Sequence, residues 1–180
     1  NNAYFKRSET GQLTDQTTSF KNKEKATFPR FTTYTKEFRL KNIFKGVNYE
    51  GGLSFEGSSV KGTGEKYSPA RITLYRNDTL YINIASNEFM FSKTGLNSQE
   101  TSVSLYLKHD SIYHSNLGFS YIAETRNVNL FRTNNPISKS PFYNSFHGLD
   151  MYFEYLSWNM NDSKIILSRS RGSSFGTARF

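Results

Sequence analysis

The sequence predicts an all-β fold, built mainly of short antiparallel strands in repeated hairpins and arranged as a sandwich or a jelly roll. A five-residue pattern, Ile/Val-x-Leu-(Tyr/Phe/Ser)-(Arg/Leu), alternates apolar and polar side chains with the period of a half-buried strand. The chain also holds 16 Phe and 12 Tyr residues, which favour strands over helices. Turn residues recur roughly every 8–15 residues over 47–168, the spacing of a sandwich or barrel. An elongated β-solenoid or an open β-groove is the alternative. The four copies of the pattern are Ile72–Arg76, Val103–Leu107, Val128–Arg132 and Ile165–Arg169.

The chain of 180 residues fits one domain of ordinary size. Residues 1–30 are rich in Lys, Thr and Asn, and we expect a loosely ordered basic arm or a leading strand there, with Ala3–Lys6 as the candidate strand. Residues 31–180 are expected to form a single all-β domain that is a segment of a larger protein.

Charge and composition narrow the classes of partner. The net charge of +8 is concentrated at the two ends of the chain, whereas a nucleic-acid site needs cations clustered on a folded face beside stacking aromatics. We therefore expect no nucleic-acid partner. No stretch approaches the roughly 18 apolar residues of a membrane helix, so no membrane span is expected. Because there are no cysteines, disulfides and thiolate metal sites are excluded.

The first third of the predicted domain reads as a meander of short strands. Alternation over 31–40 changes phase, which indicates a bend near Lys36. The pair Gly51-Gly52 and the single Gly57 are turn signals, because glycine adopts positive φ without steric cost.

The central third predicts successive hairpins. Strands over 70–74 and 80–84 flank the turn residues Arg76–Thr79, and a further strand covers Phe89–Phe91. The scheme then recurs, with a turn at Lys108–Ser111, followed by a hairpin that turns at Glu124–Asn127.

The last third contains the one segment where a helix competes with a strand. Asn134–Pro141 holds two prolines and predicts a loop. Asp150–Met160 is dense in aromatic residues and shows no helix cap, so we predict a strand. Asn161–Ser163 then turns into a final strand at Ile165–Leu167.

No catalytic or metal-binding constellation stands out, and no catalytic residue or cofactor is assigned. The spacing of His109, His114 and His147 matches no zinc pattern, and we expect turn and surface histidines. Asp150 and Glu154 would lie about 13 Å apart on one strand, which exceeds the roughly 5–9.5 Å between glycosidase carboxyl groups.

The abundance of tyrosine is the strongest indication of binding. Six tyrosines lie on the parity opposite the core-forming residues of their strands, and such side chains stack on sugars or partner chains when they face solvent. Packing on a second buried face is the competing interpretation. The candidate ligand-binding residues are Tyr75, Tyr81, Tyr106, Tyr113, Tyr152 and Tyr155.

Two predicted turns carry the same three-residue pattern. Asp78-Thr79-Leu80 and Asp110-Ser111-Ile112 are similar to the Asp-(Ser/Thr)-aliphatic signal for O-glycosylation in envelope proteins of the Bacteroidota. Thr79 and Ser111 are therefore candidate O-glycosylation sites, although Asp-Ser and Asp-Thr are also ordinary turn chemistry.

Four short segments carry a wider resemblance. They are Gly46–Gly57, Asp110–His114, Ser138–Tyr143 and Asp150–Glu154. Through them the chain from Tyr49 to Ser174, about two-thirds of the whole, resembles a region of very large, uncharacterised secreted envelope proteins of the Bacteroidota. The resemblance implies a location in the periplasm or at the cell surface, and it assigns no activity.

These observations together predict a non-enzymatic structural, adhesive or binding module of an exported bacterial envelope protein. Its expected partners are a protein or glycan of the envelope and neighbouring segments of the parent chain. A lipid- or lipopolysaccharide-handling β-groove and a carbohydrate-active enzyme domain are the alternatives.

Overall fold

A computed structural model describes residues 10–16, 27–57, 59–169 and 177–179, the last three as backbone only. These residues form sixteen strands and one 3₁₀ helix at Pro136–Lys139, which confirms the all-β prediction. Within the described ranges, no helix is long and apolar enough to cross a membrane. The strands are β1 (Gly11–Thr14), β2 (Arg30–Thr33), β3 (Phe38–Phe44), β4 (Val47–Glu56), β5 (Ser59–Thr63), β6 (Ala70–Arg76), β7 (Thr79–Ser86), β8 (Glu88–Ser92), β9 (Gly95–Leu107), β10 (Asp110–Ile122), β11 (Asn127–Phe131), β12 (Phe142–Asn144), β13 (Leu149–Tyr152), β14 (Tyr155–Asn159), β15 (Ile165–Ser168) and β16 (Thr177–Arg179).

The strands form two layers that share three long strands. All described pairings are antiparallel, and β4, β9 and β10 pair with one set of neighbours along their first half and another along their second. Strands that bend from one sheet into another make the corners of a sandwich. The first layer runs β3-β4-β6-β7-β9-β10-β12-β13-β16, and the second runs β1-β2-β4-β5-β8-β9-β10-β11-β14-β15.

Two of the strands that pass between the layers, β4 and β9, belong to a closed ring of six paired strands. From β4 the pairing passes through β6, β7 and β9 in the first layer and returns through β8 and β5 in the second. The side chains inside are buried, and Tyr49 meets Phe89 and Phe91 edge-on with ring centroids 6.4 and 5.1 Å apart. The architecture is therefore sandwich-like and is not an elongated solenoid.

The predicted turn at Gly51-Gly52 is wrong, because both glycines lie inside β4 at the bend where it changes layer. A Cβ on Gly51, whose φ is +155°, would lie 2.5 Å from the Tyr49 hydroxyl and 2.6 Å from Ala70 Cβ. The glycine pair therefore lets neighbouring side chains pack closely against the bent backbone, and it does not reverse the chain.

The hairpins of the central third are confirmed. The β6–β7 hairpin turns at Asn77-Asp78, both with positive φ, as a two-residue turn that matches strand twist requires. The β9–β10 hairpin turns at Lys108-His109 and the β10–β11 hairpin turns within residues 123–126.

The predicted strand over 150–160 is two strands with different partners. β13 pairs with β12 and β16 in the first layer, and β14 pairs with β11 and β15 in the second. At the break, Phe153 is buried and stacks on Phe142 with ring centroids 3.8 Å apart. The aromatic density thus reflects both strands and the crossing between them.

Part of the expected N-terminal arm belongs to the sheet. β1 pairs with β2, which begins at Arg30, so residues 11–14 and 30 extend the second layer. The candidate strand Ala3–Lys6 lies outside the described residues.

Candidate functional site

Four exposed tyrosines lie on neighbouring strands of the first layer and share its outer face. We call them the tyrosine row. The four occupy β9, β10, β12 and β13, so the row crosses three spaces between strands, about 14 Å at 4.8 Å each. The members and their exposed fractions are Tyr106 (38%), Tyr113 (45%), Tyr143 (48%) and Tyr152 (39%).

Strand register places the row on one face. Tyr113 and Tyr143 are directly opposite each other across β10 and β12. Tyr106 is opposite Ser111, which lies two residues before Tyr113 and therefore on the same face. Tyr152 reaches this face by the same rule, since Tyr143 is opposite Asp150.

The face beside the row carries short polar side chains. Ser104 is opposite Tyr113, and Asn83 is opposite Ser104 on the next strand. The Oδ1 atom of Asn83 is buried and has no hydrogen-bond partner among the described residues. Hydroxyl and amide groups beside aromatic rings provide adaptable hydrogen bonding next to rigid apolar contact area.

A hydrogen-bond network fixes the end of the hairpin that carries the row. The Asp110 carboxylate accepts from the Ser145 hydroxyl (2.7 Å), the Ser111 amide (2.6 Å) and the Asn144 side chain (2.8 Å). Desolvation tends to raise the pKa of Asp110, but these hydrogen bonds outweigh it and lower the pKa below its ordinary value. The ionised carboxylate thereby ties β10 to the end of β12 and to Ser145, which follows it.

Three of the six candidate tyrosines, Tyr106, Tyr113 and Tyr152, belong to the row. Tyr81 does not, because the β6–β7 register shifts between Leu74 and Tyr75 and makes Tyr81 the extra residue of a bulge. Its ring instead stacks on Trp158 of the second layer, with centroids 5.2 Å apart.

The other two candidates are half-buried on other surfaces. The Tyr155 hydroxyl donates to Oδ1 of Asn129 on the second layer. Tyr75 lines a cavity between turns. Tyr143 was not among the candidates, because a three-residue strand is too short for alternation to reveal its face.

That cavity, which we call the turn cavity, lies where four hairpin turns of the two layers meet. Its volume is about 810 Å³, and it is formed by the β3–β4, β6–β7, β10–β11 and β14–β15 turns with the adjoining ends of β3, β4 and β6. Four cationic side chains and one carboxylate line it: Lys41, Lys45, Arg76, Arg126 and Asp78. The sequence gives no signal for it, because its residues are gathered from four separate turns.

The three histidines and the two carboxylates considered from the sequence, Asp150 and Glu154, do not form one cluster in the described part of the chain. His109 and His147 are exposed in turns, but His114 is buried in β10, so its expected surface position is wrong. Asp150 and Glu154 do not share a strand, because Glu154 lies after the end of β13. Among the described residues, no group of three or more His, Asp or Glu side chains is placed to hold a metal ion.

The two candidate glycosylation sites differ in accessibility. Thr79 is exposed at the start of β7. Ser111 is half-buried, and its hydroxyl donates to the Ser145 hydroxyl at 3.2 Å.

Comparison of the chain with protein-family models, curated proteins and solved structures found no match.

Proposed function

We propose that this chain is a non-enzymatic binding module of an exported bacterial envelope protein, and that it contacts a glycan through the tyrosine row. The observation that supports this is the placement of four exposed tyrosines on four adjacent strands of one face. Aromatic side chains aligned in this way offer a continuous apolar surface with polar tips.

The composition of the face favours a polar ligand with apolar ring faces. The rings lie beside Ser104 and Ser111, and Asp150 is opposite Tyr143, so hydroxyl and carboxylate groups border the aromatic surface. A sugar chain presents this combination, since its C–H faces stack on aromatic rings and its hydroxyls need hydrogen-bond partners. A partner polypeptide of the envelope is the competing occupant.

The envelope location rests on the resemblance carried by Gly46–Gly57 and the other three segments. O-glycosylation provides a test of it, and Thr79 is the more accessible candidate. Protein purified from the native cells should carry a glycan on Thr79 by peptide mass spectrometry, and an unmodified Thr79 peptide would count against this location.

Glycan binding is tested by removing two rings from the centre of the row. The double variant Tyr113→Ala/Tyr143→Ala should bind bacterial surface glycans at least about tenfold more weakly than the wild type, because burying about 50 Å² of apolar ring surface contributes about 1 kcal/mol per ring. Binding is measured on a glycan array and then by calorimetry with the best-bound oligosaccharide.

The matched control removes two exposed tyrosines outside the row. Tyr34 and Tyr67 are 69% and 91% exposed, so Tyr34→Ala/Tyr67→Ala removes the same number of exposed rings without touching the row. Equal binding by the two double variants, or no glycan bound by the wild type, would refute the glycan proposal.

The lipid-groove alternative has less support than glycan binding. Between the layers, the gap beside Val103, Leu105 and Ile112 is too small to hold a water molecule. The side chains of the two layers therefore fill this part of the interior and leave no room there for an acyl chain.

A further inference from the structure

The turn cavity carries positive charge that the protein does not neutralise. Among the described residues, none of its four cations, Lys41, Lys45, Arg76 and Arg126, forms an ion pair with a carboxylate. Asp78 is the sole acidic residue of the described lining. A cleft with one dominant sign of charge concentrates ligands of the opposite sign.

The two arginines are held in position by neutral groups. Arg76 donates from Nη1 to the Asp162 backbone carbonyl at 2.8 Å. Arg126 donates to the Lys45 carbonyl at 3.3 Å and to Oδ1 of Asn161 at 2.5 Å. Because all these acceptors are uncharged, the contacts orient both guanidinium groups and leave their positive charge available to a ligand.

The guanidinium of Arg126 lies partly inside the protein, since its Nε atom is buried. Burial raises the pKa of the Tyr121 hydroxyl, and the interaction of this hydroxyl with Arg126 opposes that rise. Because this neighbour is uncharged as well, the positive charge of Arg126 stays available to a ligand in the cavity. Its φ of +55° belongs to the β10–β11 turn, as the positive φ of Asn77 and Asp78 belongs to the β6–β7 turn.

From this geometry we propose that the turn cavity binds the phosphate group of a polar ligand. A phosphate monoester carries a charge of about −1.5 to −2 at pH 7 and three acceptor oxygens, which suits two fixed guanidinium groups and two mobile ammonium groups. The volume of about 810 Å³ exceeds that of a single phosphate and is within the range of small-ligand sites. The side-chain oxygens of Asn42, Asn48 and Asn161 already accept from Gly46, Asn42 and Arg126, and the NH₂ groups of these three amides can donate to the hydroxyls of a phosphorylated sugar.

The experiment neutralises the two lysines and leaves the arginine contacts intact. Lys41 and Lys45 are exposed, and within the described part of the chain their side chains form no hydrogen bond or ion pair, so Lys41→Gln/Lys45→Gln should fold with an unchanged melting temperature. Calorimetry at about 50 mM salt, where screening is weak, compares inorganic phosphate, glucose 6-phosphate and glucose as probes. The wild type should bind both phosphates and not glucose, and the double variant should bind them at least about tenfold more weakly.

A second pair of lysines controls for net charge. Lys93→Gln/Lys139→Gln removes the same charge from exposed positions outside the cavity and should keep wild-type affinity. Equal weakening in the two double variants would show non-specific attraction to a basic protein and would overturn the proposal.

Vesicles distinguish a lipid headgroup from a soluble phosphate. Binding to phosphatidylcholine vesicles that contain phosphatidic acid, lost in Lys41→Gln/Lys45→Gln, would support the cavity and assign the phosphate to a lipid. Phosphate binding that is independent of vesicles would assign it to a soluble ligand. If no soluble phosphate and no vesicle binds in a Lys41- and Lys45-dependent way, the proposal is wrong. This result would not affect the proposal that the tyrosine row binds a glycan.

Discussion

At the scale of single residues, His114 is buried and has polar partners at both ring nitrogens. Its Nδ1 accepts from the Asn116 amide at 3.0 Å, and its Nε2 lies 2.9 Å from the Ser140 carbonyl and 2.8 Å from Nη1 of Arg132. Arg132 donates from Nε to the Phe153 carbonyl at 3.1 Å and lies 4.8 Å above the Phe142 ring. This cluster joins β10 to the chain around Phe142 and Phe153.

The environment of His114 favours the neutral ring. Burial lowers its pKa below the ordinary value of 6.5, and the positive charge of Arg132 lowers it further, against the opposing hydrogen bond to the Ser140 carbonyl. Glu154 is the acidic residue that acts on Arg132 in this cluster. Protonation would place a second cation beside Arg132 and remove the acceptor for the Asn116 amide.

This pKa shift predicts an acid-sensitive fold. The unfolded chain takes up a proton at His114 near pH 6.5, whereas the folded chain takes it up only at lower pH, so stability falls as the pH drops below about 6.5. The slope for one proton is at most about 1.4 kcal/mol per pH unit. Urea unfolding at pH 7.5 and 5.5 should show a smaller pH dependence in His114→Gln, and identical slopes in the two proteins would contradict this assignment.

At the scale of elements, the bends in β4, β9 and β10 decide the architecture. The β9–β10 register shifts between His114 and Leu117 and again before Phe119, which is where both strands pass between layers. At this corner the Thr101 hydroxyl donates to the Leu117 carbonyl at 2.9 Å, which stabilises the bend. In β4 the bend is made by the glycine pair.

The bend in β4 should be intolerant of a side chain. Gly51→Ala would place a methyl group against the Tyr49 hydroxyl and Ala70, in a backbone conformation that alanine rarely adopts. Gly148→Ala is the matched control, because φ there is +62° but no atom of the described residues lies within 4 Å of the added Cβ. We expect the control to cost about 1–2 kcal/mol of unfolding free energy and Gly51→Ala about 1–3 kcal/mol more, measured by urea denaturation. Equal losses would mean that close approach does not constrain β4.

At the scale of the whole molecule, the ring β4-β6-β7-β9-β8-β5 encloses a continuous apolar core. Its strands pair on both sides, whereas β3 and β15 each pair with one strand among the described residues. Backbone groups on a strand with one partner are open to solvent along the other edge. Stability should therefore decrease from the ring toward these edges.

Amide hydrogen exchange tests this gradient. Amides of β7 and β9 that donate hydrogen bonds to neighbouring strands of the ring should exchange at the rate of global unfolding. Those of β3 and β15 should exchange faster through local opening. The measurement is exchange followed by NMR at neutral pH. Equal protection in β7 and β15 would show that the molecule opens only as one unit.

The sequence and the structure agree where alternation is uninterrupted. The β6–β7 hairpin and its turn follow from the period of Ala70–Arg76 and from Asn77-Asp78. Agreement fails at irregularities, because one bulge turns Tyr81 toward Trp158 although its parity predicts an outward position. Three of the six candidate tyrosines, Tyr106, Tyr113 and Tyr152, lie on an exposed face.

By itself, the sequence determined that this protein is built of antiparallel strands, since alternation and turn residues act over a few neighbouring positions. Only the tertiary structure decided which face each strand presents and which distant turns meet. The tyrosine row and the turn cavity both depend on bends and bulges in long strands. One extra residue in a strand moves all following side chains of that strand to the opposite face. Local sequence patterns do not indicate where a strand passes from one layer to the other.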